Sequence, residues 1–337
     1  MTILDEAALR LRDAGVESPR AEARLLLAHA MGVSREDVIS GAHPDEAALA
    51  RFHAAVERRI AREPFAYIVG RREFFSLDFA VGPGVLIPRP ESELLIEEAL
   101  RRFPRADEPL RVFDLGTGSG CLLLTFLAQR PNAEGLGIDR SDVALGYARR
   151  NAGQLGLAGR ARFLRGNWAE SVRARFDLIF VNPPYVRSGD IHSLAPEVGV
   201  HEPASALDGG MDGLNAYRQI APSLPELLSP SGCAFVEIGE GQAEAVSTIC
   251  ANANLVVDGT VTDSLVFIAV WWSWLPRSNT HGQTEKNNCN TSRQAARFRT
   301  AGVMKGCGRR RGAEWPAKAP NAVPLFMGEK LETRRGI

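Results

Sequence analysis

Residues 180–185 read Phe-Val-Asn-Pro-Pro-Tyr, and they bring together groups that can capture a flat amide or amino group. Neither proline has an N–H, and each pushes the residue before it away from helix, so a strand entering this stretch must stop and turn outward. The Asn182 amide oxygen and a proline carbonyl can then accept the two N–H bonds of a planar –C(=O)NH2 or ring-NH2 group. Pro184 stiffens the corner, and the Tyr185 ring offers a face on which that plane can stack. A strand ending in a plain proline-rich turn is the alternative.

A second chemical feature lies about seventy residues earlier. Arg111 to Leu115 reads as a strand and runs into Gly116-Thr117-Gly118-Ser119-Gly120, after which a helix is predicted from Cys121 to Arg130. Glycines at such a bend permit positive φ and let the backbone approach a ligand closely, with the free N–H groups of the helix start behind them. The spacing G-x-G-x-G is one residue tighter than that of the dinucleotide fingerprint. The next strand ends at Asp139, an acid placed to accept both hydroxyls of a ribose. Capping a helix ahead of Ser141 is its other reading. Ala161 to Arg165 makes a third strand and ends near Asn167 and Trp168, which could hold the edge and face of an adenine, although Trp168 could equally be a packing residue.

The elements that must position these groups alternate strand and helix from Leu110 onward, which predicts a parallel sheet covered on both faces. The fourth strand, Phe176 to Val181, is apolar after Asp177 and so is expected to be buried on both sides. A helix from Leu214 to Leu228, a strand from Ala234 to Ile238 and a helix from Ala243 to Ala251 follow, with a last strand within 264–275. Glu237 stands inside the apolar strand, which implies a partner or a place near the cleft. Residues 187–212 read as a long polar loop, and Glu197, His201 and Glu202 in it could contact a substrate, with solvated surface groups as the expected reading.

Before the sheet, residues 1–64 show only helical spacing, as in Leu4, Ala8, Leu11 and Ala23, Leu26, Leu27, Ala30. A hairpin linker is expected over 65–87, where Phe74, Leu77, Phe79 and Val81 mark strand and turn around Ser76. The sheet domain then spans 88–272, and 273–337 lacks sustained periodicity and reads as a disordered basic tail. At the junction Ile87-Pro88-Arg89-Pro90-Glu91-Ser92-Glu93 is either a stiff linker or a docking segment that precedes a helix.

The zero net charge over 337 residues conceals an asymmetry. From Trp271 onward 13 Lys and Arg face 4 Asp and Glu, whereas the preceding 270 residues hold 27 against 36, a net of −9. An acidic body argues against a duplex-gripping surface. The five cysteines are scattered and odd in number, without C-x-x-C spacing, which fits neither a disulfide framework nor a zinc site and agrees with a reducing cytosol. No signal peptide and no membrane span are expected, so a cytoplasmic location follows. No Ser/His/Asp set or metal cluster stands out.

The glycine loop, Asp139 and Asn182-Pro183-Pro184-Tyr185, in that order and on those strand ends, resemble the class I S-adenosylmethionine-dependent methyltransferases. Ile87 to Glu93, Gly70 to Phe75 and Leu207 to Gly210 make residues 4–263 similar to the release factor glutamine methyltransferase family, PrmC/HemK. The resemblance implies an α/β, Rossmann-like sheet with a small N-terminal helical domain and a hairpin linker. It implies S-adenosyl-L-methionine on Gly116, Thr117, Gly118, Ser119, Gly120, Asp139 and Trp168, with Asn182 near the reacting methyl group. It also implies that Asn182, Pro183, Pro184 and Tyr185 hold the glutamine of the Gly-Gly-Gln motif of class 1 peptide chain release factors, with Asn167, Arg89 and Glu91 as further candidates. A monomer without direct nucleic-acid contact is expected. Two departures stand against the pattern: Asn167 replaces an acid frequent at that position, and the usual closing-strand residues are missing beyond Asp263. Other readings are a ribosomal-protein glutamine methyltransferase, a nucleic-acid amino methyltransferase, a nicotinamide oxidoreductase, and a cofactor-binding protein made inactive by its carboxyl end.

Overall fold

The chain opens with helices whose ends are written into their sequences. Thr2 and Asp5 form a capping box at the start of Ile3–Asp13, each side chain accepting from the other's backbone N–H. Ser34 and Asp37 do the same for Arg35–Ile39, Asp45 caps Glu46–Ile60 by accepting from Ala48 N at 2.7 Å, and Pro19 starts Pro19–Met31 at the first helical position. Their apolar stripes meet in a core of their own around Leu11, Leu26, Phe52 and Val56. The computed structural model describes residues 2–170, 172–263 and 266–272, those from 258 onward by backbone alone. The tail expected over 273–337 lies outside the described residues.

Strands β1 (Arg71–Phe74) and β2 (Leu77–Ala80) form the hairpin, joined through Phe75 and Ser76. Both turn residues have positive φ, 51° and 62°, as a two-residue hairpin connection demands. The hairpin is shorter than the expected linker: Phe65–Val69 is a helical turn between Pro64 and the left-handed Gly70. Five residues are too few for their spacing to reveal a period.

The main sheet contains β3 (Arg111–Leu115), β4 (Glu134–Asp139), β5 (Ala161–Arg165), β6 (Phe176–Val181), β7 (Leu228–Ile238), β8 (Val256–Asp263) and β9 (Val266–Trp272). Their order is β5-β4-β3-β6-β7-β9-β8. Strands β3 to β7 are parallel, and β9 is antiparallel to both β7 and β8. This is the Rossmann-like α/β sheet that the resemblance implies. Along β6 the side chains alternate between two cores: Leu178 and Phe180 join one, Ile179 and Val181 the other. Burial on both faces explains its unbroken apolar run.

The chain builds outward from β3 through β4 to β5, then returns to lay β6 against the other side of β3. That reversal is the switch point where open α/β sheets form a crevice at the carboxyl ends of their strands. Leu115 pairs with Val181, so the glycine loop and Asn182 leave the sheet side by side.

Two expectations change. The helix predicted over 214–228 breaks into Asn215–Ile220, a 3-10 turn Ala221–Ser223 and Leu224–Leu227, because Pro222 and Pro225 can sit only at the start of a new turn. The loop over 187–212 carries helical turns at Ser188–Ser193, Pro196–Gly199 and Ala204–Leu207. The last strand expected within 264–275 is present as β9, which enters the sheet between β7 and β8 although the usual closing-strand residues are missing, since ladder hydrogen bonds come from backbone that every sequence supplies. Strand β8, unmarked in the sequence reading, is interrupted by a register shift between Val257 and Gly259.

Candidate active site

A cavity of about 500 Å³ opens at the switch point, within the size range of small-molecule and cofactor sites. One wall is the loop after β3. Gly116, Gly118 and Gly120 have φ of 75°, 56° and 81°, values that residues with a Cβ rarely adopt. Gly116 N and Thr117 N both donate to Ile138 O, at 2.8 and 2.9 Å, and Gly118 N donates to Asp139 Oδ2 at 2.9 Å. Asp139 also accepts from Ser141 N at 2.8 Å, while the cap of the next helix is Ser141 itself. Asp139 therefore ties the glycine loop to the end of β4 while lining the cavity.

Beneath the loop, Thr117 Oγ1 donates to Asp114 Oδ2 at 2.6 Å. Burial pushes the Asp114 carboxyl up to about 7, against the pull of the Thr117 hydrogen bond. Asn151, fully buried, clamps the loop from the side: it accepts from Ala80 N at 2.7 Å and donates to Ser119 O at 2.9 Å and Ala80 O at 3.2 Å. The end of the hairpin and the glycine loop thus share one side chain, which no sequence spacing indicated.

Trp168 stands over the loop at φ 47°, its ring 3.3 Å from where a Cβ on Gly116 would lie. Its Nε1 donates to Gln219 Oε1 at 2.8 Å. Asn167, exposed beside it, donates to Glu170 at 2.5 Å and reaches the rim of the cavity.

The opposite wall is Asn182, at the end of β6. Asn182 Nδ2 donates to Glu237 Oε2 at 2.9 Å and to Ser92 Oγ at 3.1 Å. Ser92 Oγ donates in turn to Glu237 Oε2 at 2.5 Å, and Tyr185 Oη donates to Glu237 Oε1 at 3.2 Å. Glu237, on β7, is 1 % exposed. Its partner in the fold is the proline corner, so the acid noticed inside an apolar strand holds the residues of that corner. Burial raises the Glu237 carboxyl, the Ser92 and Tyr185 bonds pull it back, Glu91 pushes it up and Arg89 pulls it down. Burial, then the charge of Glu237, lifts the Tyr185 phenol well above its ordinary value.

The structure brings Gly116 to Ser119, Asp139 and Trp168 to one cavity together with Asn182 and Pro184. Arg89 lines it as well, ion-paired to Glu202. Gly120, Pro183, Tyr185 and Glu91 stand off its wall. Tyr185 is packed behind the corner, its Cδ2 3.0 Å from where a Cβ on Gly239 would lie.

Two loop acids depart from the solvated reading. Glu202 is buried, accepting from Ile87 N at 3.1 Å as well as from Arg89. Burial raises its carboxyl and Arg89 opposes the rise. Glu197 receives Arg59 at 2.8 Å and Arg62 at 2.7 Å. His201 Nε2 lies 3.2 Å from Ala61 O. Among the described residues no group of His, Cys, Asp and Glu is arranged to hold a metal ion, and no helix is long and apolar enough to cross a membrane.

Residues 2–70 match the family model described as the PrmC N-terminal domain, and residues 91–210 that of the methyltransferase small domain. A release factor glutamine methyltransferase of Caulobacter vibrioides is 44% identical over 257 residues, covering 75% of this chain and 89% of its own. One of Rhodospirillum rubrum is 47% identical over 257 residues, covering 75% and 78%. Among solved structures, a methyltransferase from Pyrococcus furiosus aligns with a TM-score of 0.45 at 16% identity, covering 66% of this chain and 98% of that one.

Proposed function

The chain belongs to the release factor glutamine methyltransferase family, and from that membership we propose how its own residues carry the reaction. It is an S-adenosyl-L-methionine-dependent methyltransferase that modifies the side-chain amide nitrogen of a glutamine in a peptide chain release factor. We take the substrate to be the Gly-Gly-Gln glutamine of a class 1 factor. The observation that supports this site most directly is the shared cavity: Gly118 and Asp139 line one side, Asn182 the other.

The residues fit the cofactor. A loop of positive-φ glycines leaves its backbone open to close approach, and Trp168 occupies the space that a side chain at Gly116 would fill. In this reading Gly116 to Ser119, Asp139 and Trp168 hold S-adenosylmethionine, with Gly120 shaping the loop behind them and Asn167 at the rim. When bound, the cofactor supplies a methyl group already activated on a sulfonium. The protein is left to orient and desolvate the acceptor nitrogen.

An amide nitrogen is a poor nucleophile because its lone pair is delocalised into the carbonyl. Accepting one of its N–H bonds on Asn182 Oδ1, on the cavity wall, fixes the direction of that lone pair. Orientation of this kind contributes up to roughly 7–11 kcal/mol when alignment is ideal. Tyr185, off the cavity wall, serves by bracing the corner through Glu237 and by limiting its motion against Gly239. No strong base is needed, because the N–H becomes acidic only as transfer proceeds.

Residues 1–64, with the linker 65–87, are assigned to docking the factor against the 88–272 domain, and the enzyme is taken to act as a cytoplasmic monomer without nucleic acid. The test is transfer of radiolabelled methyl from S-adenosylmethionine to purified class 1 release factor, beside a factor whose Gly-Gly-Gln glutamine is replaced by alanine. Label is expected in the first alone; equal labelling of both would overturn the assignment. Asn182→Ala should abolish labelling while calorimetric binding of S-adenosylhomocysteine stays within about threefold of wild type. Retained turnover would remove Asn182 from the mechanism.

A further inference from the structure

The transfer chemistry calls for an acceptor on Asn182, yet nothing in an asparagine decides which end of its amide faces a ligand. A half-turn about the last side-chain bond exchanges the oxygen for the NH2 at almost no cost in shape. The surroundings of Asn182 decide it. Ser92 has a single hydroxyl hydrogen, and it is directed to Glu237 Oε2 at 2.5 Å. Toward Asn182, 3.1 Å away, Ser92 therefore presents only lone pairs. Glu237 Oε2, 2.9 Å from Asn182 Nδ2, is also an acceptor. Two acceptors converge on one end of the amide, so that end must be the NH2. Turning the amide over would set its oxygen against a buried carboxylate and a hydroxyl lone pair. Tyr185 Oη supplies the remaining carboxylate oxygen with a donor at 3.2 Å. Among the described residues no donor is bonded to Asn182 Oδ1, the atom left to meet a ligand.

Resting on the reading of the site above, we propose that Glu237 is a positioning and specificity-determining residue: with Ser92, it fixes Asn182 as an acceptor, so the subsite takes a carboxamide and refuses a carboxylate. A glutamine side chain brings an N–H donor to that acceptor. A glutamate brings only oxygens, and a second negative charge near a buried one. The same network predicts a pH dependence. Glu237 faces Tyr185 and Ser92 directly, with Glu91, Arg89, Tyr217 and Cys121 near enough to feel its charge or be felt by it. Once protonated, it can donate to Asn182, and the amide is free to turn its NH2 toward the cavity. Activity should therefore fall on the acid side as Glu237 takes up a proton.

Glu237→Gln tests this with little change of shape. Glutamine can meet either end of the Asn182 amide, so polarity is no longer imposed. Three readouts are taken: kcat and KM with release factor, S-adenosylhomocysteine affinity by calorimetry, and competition by a factor whose methylated glutamine is replaced by glutamate. Wild type is expected to bind the glutamine form at least tenfold better than the glutamate form. In Glu237→Gln that preference should shrink toward unity, kcat should fall roughly 10-fold or more, and the acid limb of the pH profile should disappear. Cofactor affinity should stay within about threefold. Unchanged kcat and unchanged preference would overturn the inference, as would a parallel loss of cofactor binding, which marks a merely structural role. Should the variant not fold, Ser92→Ala carries the same signature at smaller size, and its indifference would be equally decisive. An inactive wild type would count against the functional reading itself; an active wild type with an indifferent Glu237→Gln counts against this inference alone.

Discussion

Glu197 provides a sharp test of how the loop after the proline corner is held. Its carboxylate, 18 % exposed, receives Arg59 Nη1 at 2.8 Å and Arg62 through Nε and Nη2, each at 2.7 Å. Those arginines belong to the helical residues, so a single acid ties the loop to them. Burial works against the charge, but the Arg62 and Arg59 bonds outweigh it and hold the carboxyl down to about 2. Glu197→Gln keeps the shape and removes the charge. Breaking a buried pair outright costs about 3–5 kcal/mol, because a charge is left without a partner. That figure does not apply, since Arg59 keeps Glu22 at 2.6 Å and Arg62 keeps the carbonyls of Ala14 and Gly15. What is lost is charge assistance in one partly buried cluster, about 1.5–3 kcal/mol before screening at its exposed edge. The carboxyl's folded value lies below its ordinary 4.5. Its contribution is therefore present above that value and is lost as pH falls from 4.5 toward 2. Urea unfolding of both proteins at pH 7, 5, 4 and 3 reads the effect. The gap between them should be steady from pH 7 to 5 and should lose over half its size by pH 3. A gap that does not change from pH 5 to 3, or no gap at pH 7, would refute the argument.

The remaining predictions follow the same logic. Asn151→Ala strands Ala80 N, Ala80 O and Ser119 O in a buried place. It should cost about 3 kcal/mol or more in urea unfolding and weaken S-adenosylhomocysteine binding at least tenfold, because the glycine loop loses its clamp. Full cofactor affinity in a destabilised protein would show that the loop holds itself. Gly239→Ala places a Cβ 2.9 Å from Gln242 Oε1 and 3.0 Å from Tyr185 Cδ2, so the ring or the glutamine must move. Steady-state kinetics should show kcat reduced roughly tenfold with cofactor affinity retained; unchanged kcat would mean that Tyr185 does not brace the corner.

Much of the architecture was legible from local pattern. Residues that end strands or start helices do so through their own backbone restrictions, and for this reason the proline corner and the glycine loop stand out in the text of the chain. The apolar run of β6 announces burial on both faces. Short or mixed signals were less readable. Phe65–Val69 is one helical turn, and Pro222 and Pro225 divide what spacing alone joined into one helix.

Which polar group answers which was decided only by the tertiary structure. Asn182 meets Ser92 and Glu237, 90 and 55 residues away in the chain. Arg89 meets Glu202 across 113 residues, and Arg59 meets Glu197 across 138. A carboxylate in an apolar strand states that it needs donors, because unpaired burial is costly, but it does not state where they come from. That depends on β6 lying between β3 and β7, an adjacency set by the packing of whole strands. The residue types that can hold a flat amide are thus a local property of the chain; the direction in which Asn182 presents its oxygen is a property of the fold.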